Sequence, residues 1–172
     1  MKRRIVEFLL IVIGFILQST LFKTLSLGGV APNLLLMFTS FFGFMKGKKE
    51  GMFAGFIAGI LTDIFFGNGV VGLYALIFTW IGYGNGMFNR LFYPEDIKLP
   101  LILTTVSDFL YGFLAYIFLF LLRKRLDMNY YVLHIILPEI VYTLIATIIL
   151  YRPVLFVEQW LESSEELKRT DV

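Results

Sequence analysis

The sequence predicts an all-α integral membrane protein of six transmembrane helices, and three observations carry the prediction. Of the 172 residues, 58% are hydrophobic and only 16% charged, where a soluble domain runs at about 45–50% apolar and about 25% charged. Mean hydropathy is +0.80. The charged residues gather at the ends of apolar runs, leaving stretches near the ~20 residues that cross a bilayer. The same composition excludes several function classes. There is no cysteine, so disulfides, thiolate nucleophiles and Cys-ligated metals are absent, and a single histidine, His134, cannot build a His-rich metal site. A net charge of +2 with no basic patch between exposed aromatics gives no reason to expect nucleic acid.

The first span is Ile5–Phe22, behind the basic start Lys2-Arg3-Arg4. A signal peptide begins the same way, but the apolar run goes on to Phe22 and no small-x-small cleavage site follows, so the segment reads as retained. After the turn Leu27-Gly28-Gly29-Val30 and Ala31-Pro32-Asn33, the second span is Leu34–Met45. Pro32 stands at a helix start, where a missing N–H is harmless. Lys46-Gly47-Lys48-Lys49 stops that span, and the third runs from Glu50 to Phe66. The turn Gly67-Asn68-Gly69 leads to a fourth span, Val70–Phe88. A polar, proline-containing loop from Asn89 to Asp96 precedes the fifth, which starts at Lys98 or Leu99 and ends at Leu122 before Arg123-Lys124-Arg125. The sixth is Tyr131–Tyr151, interrupted by Pro138. Residues 1–152 thus form the membrane domain, and 153–172 a short amphipathic cytoplasmic tail in which Phe156 and Trp160 are interfacial anchors and Glu158, Glu162, Glu165 and Glu166 keep the other side wet.

Basic residues orient the chain. With the N-terminus inside, eleven of the fifteen lie in inner segments and four, Lys23, Arg123, Lys124 and Arg125, in outer ones. Both termini are therefore expected in the cytoplasm, with the Arg123–Arg125 cluster as a local violation.

The third span organises the rest. Read as a helix, it places Gly51, Gly55, Gly59 and Asp63 at steps of four, with Ala54, Ala58 and Thr62 alongside, so one face is small and ends in a carboxylate. Small residues let helix backbones approach closely in a bilayer. The face either packs against the protein's own spans or receives a partner's helix. Gly67 and Gly72 punctuate its far end. A second set, Gln18, Asp108, Glu139 and Tyr142, makes an expected intramembrane polar network. Asp63, Asp108 and Glu139 each lie roughly 15–20 Å from the inner end of their span, with no lysine or arginine at that depth. Either they are carried neutral, or they line a wet cavity, or a partner supplies a donor. Thr104, Thr105 and Tyr111 are the local donors expected for Asp108, and Tyr142 and Thr143 for Glu139. No nucleophile–base spacing, metal motif or phosphate loop accompanies the carboxylates, so catalysis is not expected, nor is a cofactor. Gly82, Gly84 and Gly86 read as a close helix crossing or a kink.

Three motifs, Ala31-Pro32-Asn33, then Gly55-Phe56-x-x-Gly59-x-x-x-Asp63-x-x-x-Gly67, then Gly72-Leu73-Tyr74-Ala75, resemble the rod shape-determining protein MreD family over about Met1 to Tyr151. The resemblance implies a non-enzymatic component of the bacterial elongation machinery in the cytoplasmic membrane. It implies as partners MreC and, through it, MreB, RodA and a class B penicillin-binding protein, besides membrane lipids. It also implies a fold similar to the S components of energy-coupling-factor transporters, which gives an alternative function, a small-molecule (vitamin) uptake subunit. The short outer turns Leu27–Val30 and Gly67–Gly69 weigh against that alternative, because a high-affinity site needs convergent polar groups and a lid.

Overall fold

The computed structural model describes residues 2–24, 26, 29–67, 71–91, 93, 96–121 and 128–170. The described residues form six longer helices and no strand: α1 Lys2–Ser19, α2 Leu34–Lys46, α3 Lys48–Phe66, α4 Leu73–Met87, α5 Lys98–Leu121 and α6 Leu137–Thr170. Single turns at Leu21–Thr24 and Met128–Tyr131, a 3-10 turn at Phe88–Leu91 and a π turn at Val132–Ile136 fill the connections. Positions 68 and 69 of the predicted Gly67–Gly69 turn, the predicted start of the fourth span at Val70, positions 27 and 28, and the Arg123–Arg125 cluster lie outside the described residues.

Local chemistry sets the boundaries. The Asn33 side chain accepts from the Leu36 N–H and caps α2. Gly47 and Gly72 take φ values of 99° and 97°, left-handed conformations that glycine alone adopts freely, and each immediately precedes a helix. Pro138 does not break the last span as the sequence suggested. The π turn before it shifts the hydrogen-bond register, so the proline falls in the first turn of α6. Nor does the helix end at Pro153. It continues to Thr170, the missing N–H being tolerated in a packed helix.

Helix α2 is the centre. Every residue from Leu34 to Met45 is buried, as expected of a helix that is apolar all round. At 13 residues it is about 20 Å long, less than a ~30 Å hydrocarbon core. Two helical stretches, Lys98–Phe118 and Asn129–Ser163, are long and apolar enough to cross a membrane. The polarity of the bundle is reversed relative to a water-soluble protein. Outward faces are apolar, with Ile102, Val106 and Phe109 on α5 and Val141, Ile145 and Ile149 on α6 exposed. Thr39, Ser40, Asn85, Thr104, Ser107, Thr143 and Thr147 are inside. Large exposed apolar surfaces of this kind mark contact with lipid or protein.

Helices α1 and α2 run antiparallel and are tied at both ends. At one end the Gln18 side chain accepts from the Leu35 N–H at 3.1 Å; at the other, Glu7 meets Lys46. Helix α6 touches the same two levels through Glu139 and Glu158. The beginning of α1, the α2–α3 junction and the late part of α6 therefore share one end of the bundle, the Lys46 end.

Candidate functional site

The small face of α3 is filled by α4. A Cβ added at Gly51 would strike the Gly82 carbonyl oxygen, one at Gly55 the Phe78 carbonyl oxygen, and one at Gly59 the Ala75 Cα. The crossing is reciprocal, because Gly82 sits on the Gly51 carbonyl and Gly86 on the Lys48 backbone. The glycines of Gly82-Tyr83-Gly84-Asn85-Gly86 thus divide by position: Gly82 and Gly86 line the crossing, while Gly84 points to open space. This backbone-to-backbone seam is the most extensive helix pairing among the described residues, and it occupies the face within the chain.

Asp63 ends the seam with a definite task. Its two carboxylate oxygens accept from the backbone N–H groups of Tyr74 at 3.1 Å and Ala75 at 2.9 Å. These are orphan donors in the first turn of α4. Gly72, at the N-cap, has no side chain to serve them. A buried carboxylate there meets both the unpaired N–H groups and the positive end of the helix dipole, a cap of the kind worth about 0.5–2 kcal/mol. The sequence placed Asp63 among carboxylates lacking a local partner; its partner is main chain, eleven and twelve residues on. At Gly67 a Cβ would collide with the Asp63 carbonyl, so Gly67 keeps that helix end compact.

Mid-bundle, the Asn85 amide donates to Ser40 at 3.1 Å and to Ser107 at 2.8 Å, joining α4, α2 and α5. At the end away from Lys46 the predicted network assembles in part. Asn33 is its hub: its N–H donates to the Thr143 hydroxyl at 3.1 Å and its amide to Glu139 at 3.3 Å. Asp108 lies against Thr143 and near enough to Glu139 to act on it electrostatically. Gln18 is in the same layer but engages the Leu35 main chain, and Tyr142 is half-buried on α6. The donors expected for Asp108 do not serve it. Thr105 gives its proton to the Leu101 carbonyl, the usual habit of a helical threonine, and the buried Thr104 hydroxyl has no hydrogen bond. Thr143, on another helix, lies beside Asp108 but gives its own proton to the Glu139 carbonyl, and neither Asp108 oxygen has a hydrogen bond. Among the described residues no lysine or arginine pairs with Asp63, Asp108 or Glu139.

At the opposite end stands an ionic cluster that sequence reasoning missed. Lys46, with its side chain 2% exposed, pairs with both Glu7 and Glu158, the latter at 2.7 Å. Its ammonium also lies 4.9 Å from the centre of the Phe42 ring. Three helices, α1, α2 and α6, meet there. The tail glutamate that was expected on the wet side is 4% exposed, and Glu7 1%. Two signals were available. A lone acidic residue in an otherwise apolar span needs a partner. Tyr151, Val154, Glu158 and Leu161 recur at the spacing of one buried helix face, and all four are buried. Outside this cluster, Arg4 and Glu50 form an exposed pair at 3.3 Å.

Among the described residues no group of three metal-ligating side chains converges. Asp63 serves as a helix cap and Glu7 and Glu158 join the lysine clamp, arrangements that fix packing, whereas neither oxygen of Asp108 has a hydrogen bond and Glu139 accepts one, from Asn33. The family model described as rod shape-determining protein MreD matches residues 2–160. No curated protein and no solved structure matches the chain. With its glycine–aspartate seam and apolar-faced helical bundle inside the matched region, the chain belongs to the MreD family of rod shape-determining proteins.

Proposed function

We propose that this protein is a non-enzymatic membrane scaffold of the bacterial elongation machinery, linking MreC, and through it MreB, to the wall-synthesis pair RodA and a class B penicillin-binding protein. Membership of the family ties it to rod-shape determination, and the match over residues 2–160 is the observation that carries the reading. The commitment of Asp63, Glu7 and Glu158 to a helix cap and a lysine clamp supports a scaffold. Because α4 fills the small face of α3, partner helices are left the outward apolar faces. The test is a strain lacking the gene, supplied with this chain bearing an affinity tag. Rod shape should return and MreC should co-purify from the membrane. Rod shape without MreC would reject the linkage, and round cells with normal membrane levels would reject the function.

The reading includes six spans with both termini in the cytoplasm. It is supported by the eleven-to-four distribution of basic residues and by the shared end at which Glu7, Lys46 and Glu158 meet. Reporter fusions after Lys48 and after Arg152 are expected to read cytoplasm, and a fusion at Arg125 the outside. A cytoplasmic reading at Arg125 would break the six-span arrangement.

A further inference from the structure

At the end of the bundle opposite Lys46, a cavity of about 620 Å³ opens between the Gly29–Ala31 turn and the start of the last helix; Tyr130, Leu133, His134 and Glu139 are among its walls. That volume lies within the range of small-molecule sites, roughly 300–1,000 Å³. Acceptors stand out among the polar groups it presents. Glu139 receives one long bond, 3.3 Å, from Asn33 and has no basic partner among the described residues. Behind it the Asp108 carboxyl, 2% exposed, has no hydrogen bond to either oxygen. The π turn contributes a third acceptor. Leu137 donates to the Val132 carbonyl. The next donor in that five-residue pattern is Pro138, which has no N–H, so the Leu133 carbonyl lacks a helical partner. His134 Nδ1 lies 3.2 Å from the Tyr130 carbonyl, the geometry of a donated bond, which makes Nε2 an acceptor as well. The rings of Tyr130 and His134 stack at 4.3 Å and 15°, forming a flat aromatic wall.

We propose that this cavity is a binding site for an organic cation, a primary ammonium or guanidinium group on a compact apolar or aromatic body. The ammonium meets Glu139 and the free carbonyl, while the body lies against Leu133, Ile135 and the Tyr130–His134 pair. A neutral donor satisfies the same acceptors, whereas a cation also compensates the Glu139 and Asp108 carboxyls, which have no basic partner among the described residues. Aromatic faces add attraction for cations specifically. The cation has two possible sources, a free amine or a basic side chain of a protein segment outside the membrane, and one set of measurements separates them.

The full chain in nanodiscs of zwitterionic lipid is titrated calorimetrically with phenethylammonium, with its neutral counterpart phenethyl alcohol, and with the capped dipeptide acetyl-phenylalanyl-lysine amide. Phenethylammonium should bind saturably and at least tenfold more tightly than the alcohol, and saturation should raise the melting midpoint by about 2–4 °C. Glu139→Gln should abolish the preference for the cation. Leu133→Trp, at an exposed rim position, should weaken binding without altering the melting midpoint of the empty protein. Dipeptide binding at least as tight as that of the amine assigns the site to a protein's basic side chain; binding of the amine alone assigns it to a small molecule. Equal binding of amine and alcohol, or no binding of either cation, overturns the proposal. The amine–alcohol comparison stands on the unmutated chain even if Glu139→Gln fails to fold. Failure here leaves the scaffold reading intact, since that is read from rod shape and MreC recovery.

Discussion

Lys46→Met should be among the most damaging single substitutions in the chain, lowering stability by about 3–5 kcal/mol, because it removes the buried ammonium that Glu7 and Glu158 share. The side chain it removes is of similar length and its replacement is apolar, so lost packing contributes little. Membrane accumulation and the detergent melting midpoint should both fall sharply. Restoring neutrality should restore the protein: the triple change Lys46→Met, Glu7→Gln, Glu158→Gln should recover most of the loss, since replacing a buried ion cluster with neutral groups of similar shape is often tolerated. Arg4→Ala, which breaks the exposed pair with Glu50, should cost no more than about 1 kcal/mol. If Lys46→Met accumulates and melts like the parent, the cluster does not hold α6 to the bundle.

Gly55→Leu and Gly59→Leu should each be at least as severe. The atoms in the way are backbone, the Phe78 carbonyl and the Ala75 Cα, and backbone cannot rotate aside as a side chain can. The cost therefore lies at or beyond the ~3 kcal/mol upper end of ordinary overpacking, and close contact is much of what holds helices together in lipid. A several-fold fall in membrane level is expected. Gly84→Leu is the internal control: two positions past Gly82 on the same helix, its Cβ meets nothing within 4 Å, and it should accumulate normally. Loss of MreC co-purification at normal protein level in Gly55→Leu would instead make the seam a partner surface.

These predictions follow from features of unequal visibility in the sequence. The seam was legible because spacing alone decides which residues share a helix face, and Gly51, Gly55 and Gly59 recur every four residues. What spacing could not say is what covers the face; that depended on Gly82 and Gly86 of a different helix arriving at the same height. Asp63 was visible as costly, but its purpose was not, because its partners are main-chain N–H groups beyond a turn. Asp108 misled in the opposite direction. Thr104 and Thr105 stood at helical spacing from it, yet Thr105, like Thr143 of α6 beside it, gives its proton to a carbonyl a turn back, and Asp108 is left without a hydrogen bond. Glu158 was read by its neighbours as part of an acidic tail and Glu7 was not singled out within its apolar span, and a cluster assembled from three distant segments has no local signature. Pro153 hid the continuity of α6, since proline more often ends helices than passes through them.

The lysine clamp also fixes an order of events. Synthesis runs from the N-terminus, so Glu7 and Lys46 are both made while most of the bundle does not yet exist. They can pair as soon as α1 and α2 lie side by side. Glu158 is made only after α3, α4, α5 and nearly all of the last span. Its bond to Lys46 at 2.7 Å is therefore a closing contact between the newest part of the chain and one of the oldest. A chain cut short before Glu158 keeps the Glu7–Lys46 pair and the packing of Tyr151 and Val154 but lacks the ionic contact of α6 with Lys46. The finished bundle thus carries, in one ammonium group, a chemical record that its last helix has arrived and docked.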